Sequence, residues 1–531
     1  MNDTAKQSAW APLRRSLFRD RWISSIISNV GSWMQDTAGA WLMTSLTSSP
    51  LLIALMQTAA TLPVLLLGLL AGATADIFDR RRLLIFWQAW MLVIALVLSI
   101  LTLVGVIKPW MLLLLTFLLS LGNAMGGPAW QAIVAELVPR SELSNAIALN
   151  SAGFNLARAV GPALGGLIVA ITGAGIVFLI NSLSFLAVIA MLYRWRRQPY
   201  YSSALPTERV VSAVRAGLRY VRYAPALKEI FIRTFIPTIC VSAVWALLPL
   251  VAQKDLNQGA LGYGILNGCL GFGAVIGAVV LPRLRQRFSA DGLVTLASAV
   301  FAVTLVILAF VRVVPVVMAA LVCGGIAWIS MTSSFNIAVQ FSVPAWVQAR
   351  SLGTYQMVFQ GSLAIGSAFW GFLAESKGTS TALLCAAIGL FVGIPVSIRY
   401  RLMQGAKSNL NPALNRTEPQ VVIEFHQEEG PVLVTVEYRI NVAKAKAFVQ
   451  KIYALRIVRL RDGAVRWGIF HDTAEPTRYV ETFIVESWLE HLRQHERVTM
   501  ADRAIRDEVL AFHEGIDPPI VSHMIYARKP D

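Results

Sequence analysis

The sequence predicts an all-α polytopic membrane protein, with twelve transmembrane helices in two six-helix lobes, followed by a soluble α+β domain. Of its 531 residues, 56% are hydrophobic and only 14% are charged, and the mean hydropathy is +0.61. A soluble protein of this length would not have that composition. The apolar residues also gather in runs of roughly 20, which is long enough to cross a ~30 Å hydrocarbon core. Finally, many residues of the first half recur 205 positions later.

About twelve apolar segments have the length and composition of membrane spans. They lie near residues 22–46, 51–75, 83–105, 110–135, 146–171, 175–194, 229–251, 260–282, 292–311, 315–341, 352–374 and 380–400. The first segment is too long for a cleaved signal peptide, and no small-residue cleavage site follows it. The four cysteines all lie in apolar segments, so we expect small core residues, not disulfide or metal ligands.

The repeat pairs residues of the same kind in the two halves. The pairs are Gly72 with Gly277, Arg80 with Arg285, Arg82 with Arg287, Gln131 with Asn336, Pro139 with Pro344, Asn155 with Gln360, Gly161 with Gly366, and Gly166 with Gly371. Parallel repeats are typical of two-lobed transporters. At four aligned positions the first half has a charged residue or a proline and the second half does not. The aligned pairs are Asp36 with Val241, Asp76 with Leu281, Arg158 with Leu363, and Pro162 with Ser367. We therefore expect a shared scaffold, with the coupling chemistry in helices 1, 2 and 5.

The basic residues indicate the orientation in the membrane. The net charge is +16, but up to residue 415 the Lys and Arg residues cluster in alternate loops, which is not the footprint of a nucleic-acid-binding surface. The positive-inside rule then predicts that both termini are cytoplasmic.

Composition also divides the chain into segments. We expect a cytoplasmic N-terminal segment (1–20), an N-lobe with helices 1–6 (21–194), a cytoplasmic linker (195–228), a C-lobe with helices 7–12 (229–403), a second linker (404–419) and a cytoplasmic α+β domain (420–531). In the first linker, Val210, Val214, Leu218 and Val221 have helical spacing, which predicts an amphipathic helix along the membrane surface. This helix is either a plain connector of the lobes or a regulatory element.

The C-terminal domain has the pattern strand, helix, strand, strand, helix, strand. Val432, Val434, Val436 and Tyr438 alternate with other side chains, as in a strand with one buried face. A helix follows near 442–460, then two strands at Ala464–His471 and Arg478–Val485. A helix near 487–512 and a strand at 520–527 complete a ferredoxin-like order.

The loop after the second apolar segment carries a motif. Gly72, Asp76, Arg80 and Arg81 have the spacing of the loop motif of the major facilitator superfamily, which this sequence resembles. Asp79 departs from that motif, where the family usually has glycine. A carboxylate at Asp76 can pair with cations and with a helix N-terminus, so the motif favours a latch between helices over a merely topogenic basic loop.

The fifth segment carries a second motif, Gly161, Pro162, Gly165 and Gly166, which resembles the antiporter motif typical of exporters in the same superfamily. Small residues let helices approach closely, and proline removes a backbone donor and bends the helix. Ordinary small-residue packing is the alternative interpretation.

Two isolated charges in apolar segments are the candidates for transport and coupling. Asp36 continues a polar stripe of helix 1 with Ser25, Asn29 and Ser32. It would bind and release a proton, contact a cationic substrate or pair with Arg158, unless it lies near the outer helix end and is only solvated. Arg158, with Asn155 one turn earlier, is either a functional residue or a hydrogen-bonding anchor.

Further polar residues are candidates for lining a cavity, although bonding between helices is the commoner role of a single Asn or Gln. They are Asn123, Trp130, Gln131, Asn336, Gln340, Gln356 and Gln360.

The longer run 126–166 and the soluble tail make the sequence similar to the enterobactin-exporter-like branch of the superfamily, the transmembrane secretion effectors. The resemblance implies secondary-active, most simply proton-coupled, efflux of a siderophore, drug or other small amphiphile from the bacterial cytoplasmic (inner) membrane. A lipid or lysolipid transporter of the same fold, or a transporter fused to a catalytic tail, are the alternatives. We expect no enzyme activity and no cofactor, and as partners a small-molecule substrate, protons and the lipid bilayer, but no nucleic acid.

The tail pattern is similar to antibiotic-biosynthesis-monooxygenase-like α+β modules, which implies a homodimer. Trp488, His491 and His495 lie on one predicted helix, and the two histidines share a face. A metal site or a pocket is conceivable there, but no third ligand is evident from spacing. We therefore expect no metal and prefer two unrelated imidazoles on a polar surface.

Overall fold

The computed structural model describes residues 10–139, 141–195, 210–402, 409–413 and 428–527, without the side chains of 76–77, 135, 210–214 and 396–398. The chain divides into two compact units. The first comprises Met1–Val210, Ile230–Ile337 and Gly353–Leu402, and the second comprises Val211–Glu229, Ala338–Leu352 and Met403–Asp531.

The first unit is built from long helices. They are α1 (Ser16–Leu46), α2 (Pro50–Ile77), α3 (Arg80–Leu103), α4 (Pro109–Leu137), α5 (Leu143–Thr172), α6 (Ala174–Arg194), most of α8 (Pro225–Leu250), α9 (Ala260–Arg287), α10 (Ala290–Phe310), most of α11 (Val314–Phe341), most of α12 (Gln348–Lys377) and α13 (Thr379–Arg399). Among the described residues, 10 helices are long and apolar enough to cross a membrane, and α1 and α13 are not counted with them. A multi-pass membrane protein is thus confirmed, with ten of the twelve expected spans.

The helix bounds confirm the repeat in part. The bounds of α5 and α12, and likewise of α6 and α13, lie 205 residues apart. However, α2 and α3 begin 210 residues before α9 and α10. The gapless register from Gly72 onwards is therefore wrong in its first part. The reason is that α3 and the loop after it are together longer than α10 and its loop. The matched glycines and arginines before α4 therefore do not occupy equivalent positions in their helices.

The second unit contains a four-stranded antiparallel sheet with the order β2-β3-β1-β4. Its strands are β1 (Val432–Arg439), β2 (Ala464–His471), β3 (Arg478–Val485) and β4 (Ile520–Ile525), and its helices are α7 (Val210–Tyr223), α14 (Ala445–Asp462), α15 (Trp488–Arg497) and α16 (Met500–Leu510). The single helix expected near 487–512 is wrong. Thr499 begins a new helix with a capping box, in which Asp502 bonds back to the Thr499 backbone, and so divides the segment.

The core of this unit confirms the expected strand pattern. Val432, Val434, Val436 and Tyr438 are all buried, as is Phe448 of α14. Such alternation buries one face of the strand and leaves the other to solvent. The buried face of β1 therefore packs against α14.

The connecting helix α7 packs on the same unit. Arg215 pairs with Glu486 at 2.8 Å, and Arg219 pairs with Glu490 at 2.8 Å. Leu218, expected on an apolar face, is 47% exposed, whereas Tyr220 is buried. The helix is confirmed, but the contacts that hold it are ion pairs and Tyr220.

Candidate functional site

Arg158 lies between two tryptophans of different lobes. Its guanidinium carbon is 5.6 Å from the ring centre of Trp33 in α1 and 5.9 Å from that of Trp328 in α11. Among the described residues, the guanidinium has no hydrogen-bond or ion-pair partner, so the anchor role is not realised here. Arg158 is near the midpoint of α5. A cation held by aromatic faces in this way keeps its hydrogen-bond donors available to a ligand.

The aromatic surface continues into the C-lobe from Trp328. Trp328 lies 4.6 Å, ring centre to ring centre, from Trp245 of α8 and 5.4 Å from Phe359 of α12. Phe359 in turn contacts the buried Tyr355 at 5.9 Å. Arg158 and these rings, the Arg158 cluster, form an apolar wall with one cation. Such a wall suits an amphiphile with an anionic group.

Asp36 lies on α1 about ten residues, or ~15 Å, before the helix end. Its side chain is exposed, and among the described residues it has no hydrogen-bond or ion-pair partner. The expected pair with Arg158 is not formed here. Its neighbours on both sides are tied down, because Gln35 accepts a bond from Asn181 at 2.5 Å and Thr37 accepts one from Asn267 of α9 at 3.4 Å. The carboxylate is thus an accessible acid on a fixed backbone.

The other expected coupling residues bond within their own helices. Asn29 donates to Ser25 Oγ at 3.2 Å, which confirms that Ser25 and Asn29 share a face. Asn155 donates to the Ser151 carbonyl at 2.9 Å. The structure therefore does not bring Asn29 or Asn155 to Asp36 or to Arg158 by a hydrogen bond.

The antiporter-like motif packs α5 between α1 and α9. A Cβ on Gly165 would lie 2.8 Å from the Met34 carbonyl oxygen, and one on Gly161 would lie 2.6 Å from the Trp33 Cβ. On the other side, a Cβ on Gly166 would lie 2.6 Å from the Ala260 carbonyl oxygen. Side chains at these positions would collide with backbone atoms, so glycine sets how closely the two lobes meet.

Pro162 has a specific consequence for this contact. Because proline has no N–H, the carbonyl four residues earlier, that of Arg158, loses its helical partner. Gly271 of α9 lies against this carbonyl, so closely that a Cβ there would be 2.5 Å from the oxygen. The freed carbonyl thus meets the glycine backbone of the opposite lobe, where Cα–H···O contacts are favourable.

Three further contacts join helices of the two lobes. Thr58 of α2 donates to the Ala364 carbonyl of α12 at 2.9 Å, and Ser49 donates to Glu375 at 2.7 Å. Trp41 of α1 stacks on Tyr263 of α9 with ring centres 6.0 Å apart. These contacts involve the C-terminal halves of α1 and α12 and the N-terminal halves of α2 and α9. We call them, together with the glycine contacts of α5, the interlobe seam.

The loop motif acts through its arginines. Arg80 donates to Glu136 of α4 at 2.7 Å, and Arg81 donates to the Leu192 and Tyr193 carbonyls at the end of α6, each at 2.7 Å. The side chain of Asp76 lies outside the described residues, so its expected latch stays a prediction. Apart from its own stretch of α2, no described side chain or backbone places an atom within 4 Å of a Cβ position at Gly72. The arginines of the motif therefore tie the start of α3 to α4 and to the end of α6.

The position of Asp79 explains why this residue is not the glycine that is usual in the motif. Its carboxylate accepts a bond from the Arg82 backbone N–H at 2.9 Å and so caps the N-terminus of α3. Aspartate is among the best N-cap residues. The substitution places a helix cap between α2 and α3.

The cavity candidates are spread over several environments. Trp130 faces Arg21, whose guanidinium carbon is 4.7 Å from its ring centre. Asn123, Gln131, Gln340 and Gln356 are exposed, and Asn336 and Gln360 are half-buried. Gln340 belongs to the second unit. Trp130 therefore belongs with Arg21 in the N-lobe and not with the Arg158 cluster.

Arg21 and Arg233 are two buried arginines that the sequence analysis did not identify as candidates. Arg21 is fully buried in α1, which begins at Ser16, and it donates to Asn150 at 3.0 Å. Arg233 of α8 is buried and pairs with Asp291 of α10. Each is a cation near the start of the first helix of its lobe, which was the available signal. Both tie helices together within a lobe.

In the C-terminal domain, His491 and His495 lie close to a third histidine, His523. His491 Nε2 lies 3.2 Å from His495 Nε2, and the His523 ring of β4 is 4.8 Å from the His491 ring. Trp488 packs against both His491 and His523. His523 could not be found from spacing, because it lies on a strand paired with β1.

Comparison with known proteins identifies the family. The family model described as MFS_3, transmembrane secretion effector, matches residues 7–531. The chain belongs to this family. It is a membrane transporter of the MFS type and not an enzyme.

Curated relatives of this MFS_3 protein are transporters. The multidrug efflux pump Tap of Mycolicibacterium fortuitum is 23% identical, over 70% of this chain and 92% of that protein. The staphyloferrin A transporter of Staphylococcus aureus is 22% identical, over 67% of this chain and 89% of its own length. An uncharacterized MFS-type transporter of Bacillus subtilis, YfiS, is 26% identical, over 72% of this chain and 93% of that protein.

Solved structures share the fold of the membrane core. A point mutant of the nucleoside transporter NupG superposes with a TM-score of 0.60 at 13% identity, over 73% of this chain and all of that one. A bacterial homologue of the lysosomal transporter Spinster, in an inward-facing and occupied conformation, gives 0.60 at 11% identity, over 74% of this chain and 98% of its own. These likenesses show the fold alone.

Proposed function

We propose that this transporter exports a small amphiphile that carries an anionic group, in exchange for protons, by alternating access. The observation that carries the proposal is the unpaired guanidinium of Arg158 between Trp33 and Trp328. The two rings belong to different lobes, so a ligand held there would touch both. A site of this kind changes its access when the lobes rock about it.

The proposed core has twelve transmembrane helices, with α1 and α13 as the spans beyond the ten that composition identifies. The basic loops favour a cytoplasmic position for both termini. In that orientation the interlobe seam lies in the outer half of the membrane. We infer a conformation closed to the outside, in which the Arg158 cluster would be reached from the cytoplasm, the side from which an exporter loads its substrate.

The nature of the site supports an amphiphilic substrate. A guanidinium forms paired hydrogen bonds to carboxylates or phosphates, and aromatic faces take up planar apolar groups. Curated relatives include one named a multidrug efflux pump and one named a staphyloferrin A transporter. A siderophore or a drug with an acidic group fits both observations, in line with the enterobactin-exporter-like branch.

Asp36 is the proposed proton carrier. It is the acid on α1 that lies farthest from the helix ends and has no partner among the described residues. Protonation from the outside and release to the cytoplasm would bias the lobes between their two states. Anionic substrate at Arg158 and a proton at Asp36 would then alternate.

Inverted membrane vesicles test this proposal. With an acid interior, wild-type vesicles should accumulate the anionic dye carboxyfluorescein, but little of the cation ethidium, and a protonophore should abolish the uptake. Asp36→Asn should lose gradient-driven uptake yet keep dye exchange across vesicles without a gradient. Uptake that persists with the protonophore would sink proton coupling, and wild-type uptake by Asp36→Asn would clear that residue of the role.

For the C-terminal domain we propose a ferredoxin-like module of the antibiotic-biosynthesis-monooxygenase-like type that pairs two chains. The strand order β2-β3-β1-β4 and its helix crossings support this topology. The proposed limits are residues 420–531, with linkers at 195–228 and 404–419. Cross-linking of the full-length protein in membranes should give a dimer that is lost when residues 420–531 are deleted. A deletion variant that cross-links equally well would contradict the pairing.

A further inference from the structure

We propose that His491, His495 and His523 form a binding site for a divalent transition-metal ion of the zinc class in the C-terminal domain. Each offers one ring nitrogen, and the three nitrogens all lie within 4.8 Å of one another. Imidazole is a preferred ligand of Zn²⁺, Cu²⁺, Ni²⁺ and Fe²⁺. This inference is independent of the substrate and of the coupling ion proposed above.

The distances fit a metal centre. Zn–N bonds are about 2.0–2.1 Å, so two nitrogens on a tetrahedral ion are about 3.3 Å apart. His491 Nε2 and His495 Nε2 are 3.2 Å apart. The i, i+4 spacing on α15 directs both rings to one face, the arrangement by which a helix supplies two metal ligands. His523 needs only a small movement to close the third edge.

The third ligand is fixed by the sheet. His523 lies opposite Val434 in the register of β4 on β1. Its ring centre is 4.8 Å from that of His491, and Trp488 covers the apolar side of both rings at 5.7 Å and 5.4 Å. A rigid strand and a capped helix therefore present the three rings in one place, which lowers the entropic cost of binding.

The protonation state suits a metal. Burial, and then His495, His523 and Arg459, lower the pKa of His491 to about 3. Burial, followed by Arg459 and His523, lowers that of His495 to about 4. Burial thus favours the neutral form of His491 and His495, which is the form that binds metal. Arg459 also donates from its Nε to Glu481 at 3.1 Å.

The surroundings of the three rings leave a position for a further ligand. Because the Nε2 atom of His491 faces His495, the buried Nδ1 of His491 is not a ligating atom of this site. His495 is exposed and His523 half-buried, so the site opens to solvent on one side. Three protein ligands with an open fourth position are typical of zinc sites that also bind water or a small molecule.

The site lies on the helix that holds α7. Glu490, next to His491, accepts from Arg219 of α7 at 2.8 Å and from Arg497 at 2.6 Å. A metal ion that fixes α15 against β4 would also fix these carboxylate contacts. Binding of a metal ion would therefore also stabilise the contact of α15 with α7, the helix that connects the lobes in sequence.

Cobalt titration of the full-length protein tests the site. The protein should be purified in detergent without a polyhistidine tag, stripped with chelator and titrated with Co²⁺, whose visible absorption reports tetrahedral nitrogen ligands. We expect about one Co²⁺ per chain, displaced by Zn²⁺. The exposed or half-buried positions give the variants least prone to misfold, His495→Gln and His523→Gln, and each should weaken binding by at least ~100-fold.

His471→Gln is the matched control, because His471 lies outside the cluster and stacks on Tyr479. It should bind Co²⁺ as the wild type does, and circular dichroism and gel filtration should show that all variants are folded. A wild-type protein without the absorption band would overturn the proposal. Undiminished Co²⁺ binding by a folded protein that carries both His495→Gln and His523→Gln would also overturn it, because the metal would then lie elsewhere.

Discussion

Gly166 of α5 and Gly264 of α9 face each other across the two lobes, so closely that a Cβ on either would lie 2.9 Å from the α-carbon of the other. An alanine at Gly166 would also meet the Ala260 carbonyl oxygen at 2.6 Å. Since these are backbone atoms, the helices would have to separate. We expect Gly166→Ala to open the seam and to lower transport at least tenfold in the vesicle assay.

Gly127→Ala is the control for this variant. It adds the same methyl group to a helical glycine of α4, but apart from its own stretch of helix no described residue lies within 4 Å of its Cβ position. Its transport should equal that of the wild type. Equal loss in both variants would show that the effect comes from altered helix propensity or insertion, not from the seam.

Ala163 and Gly268 offer a reversible lock. A Cβ on Gly268 would lie 3.6 Å from the Cβ of Ala163, within the range that a disulfide spans. In a background without the four native cysteines, the double variant Ala163→Cys and Gly268→Cys should oxidise readily. We expect transport to stop on oxidation and to return with a reductant, as alternating access requires. Undiminished transport in the oxidised protein, with the disulfide verified by mass spectrometry, would refute a seam that must open.

Substitution of Arg158 separates charge from shape. Arg158→Lys keeps the cation but loses the planar guanidinium, which stacks on rings and forms paired bonds. We expect Arg158→Lys to raise KM for the anionic dye about tenfold, and Arg158→Gln to abolish its uptake. Both should retain ethidium uptake at the low wild-type level. If Arg158→Gln transported the anionic dye normally, the assigned role of Arg158 would be wrong.

The Asp79 cap gives a stability prediction. Asp79→Ala removes the bond to the Arg82 N–H, at a cost of about 1 kcal/mol in a typical helix. Asp79→Asn should keep the cap, because asparagine caps as well as aspartate does. Thermal unfolding in detergent should show a lower midpoint for the alanine variant than for the asparagine variant. Equal midpoints for the two variants would show that the cap contributes no stability.

Glu490 gives a second stability prediction, for the C-terminal domain. Its carboxylate joins Arg219 and the buried Arg497. Loss of one partner from a buried pair typically costs ~3–5 kcal/mol, so Glu490→Gln should destabilise the domain by an amount of this order. The exposed pair of Lys451 with Glu508 is the control, and Glu508→Gln should cost less than ~1 kcal/mol. Limited proteolysis of the full-length protein would reveal the difference.

The sequence predicted most of the helices because apolar runs and membrane thickness alone set their length. It also located β1, since the buried residues of this strand alternate with less buried ones. It failed where a local cap competes with periodicity, as at Thr499, which divides the segment expected to be one helix. It failed again before α4, where matches in sequence hid a register difference that only the helix bounds reveal.

The sequence by itself determined the membrane class, the duplicated scaffold and the two isolated charges, Asp36 and Arg158, because composition and spacing follow directly from a helix in lipid. The tertiary structure decided which surfaces meet. It placed Arg158 between rings of two lobes and laid Gly271 against the carbonyl that Pro162 frees. It also brought His523 to His491 and His495. Contacts of this kind join residues far apart in sequence, and the chain order alone carries no signal for them.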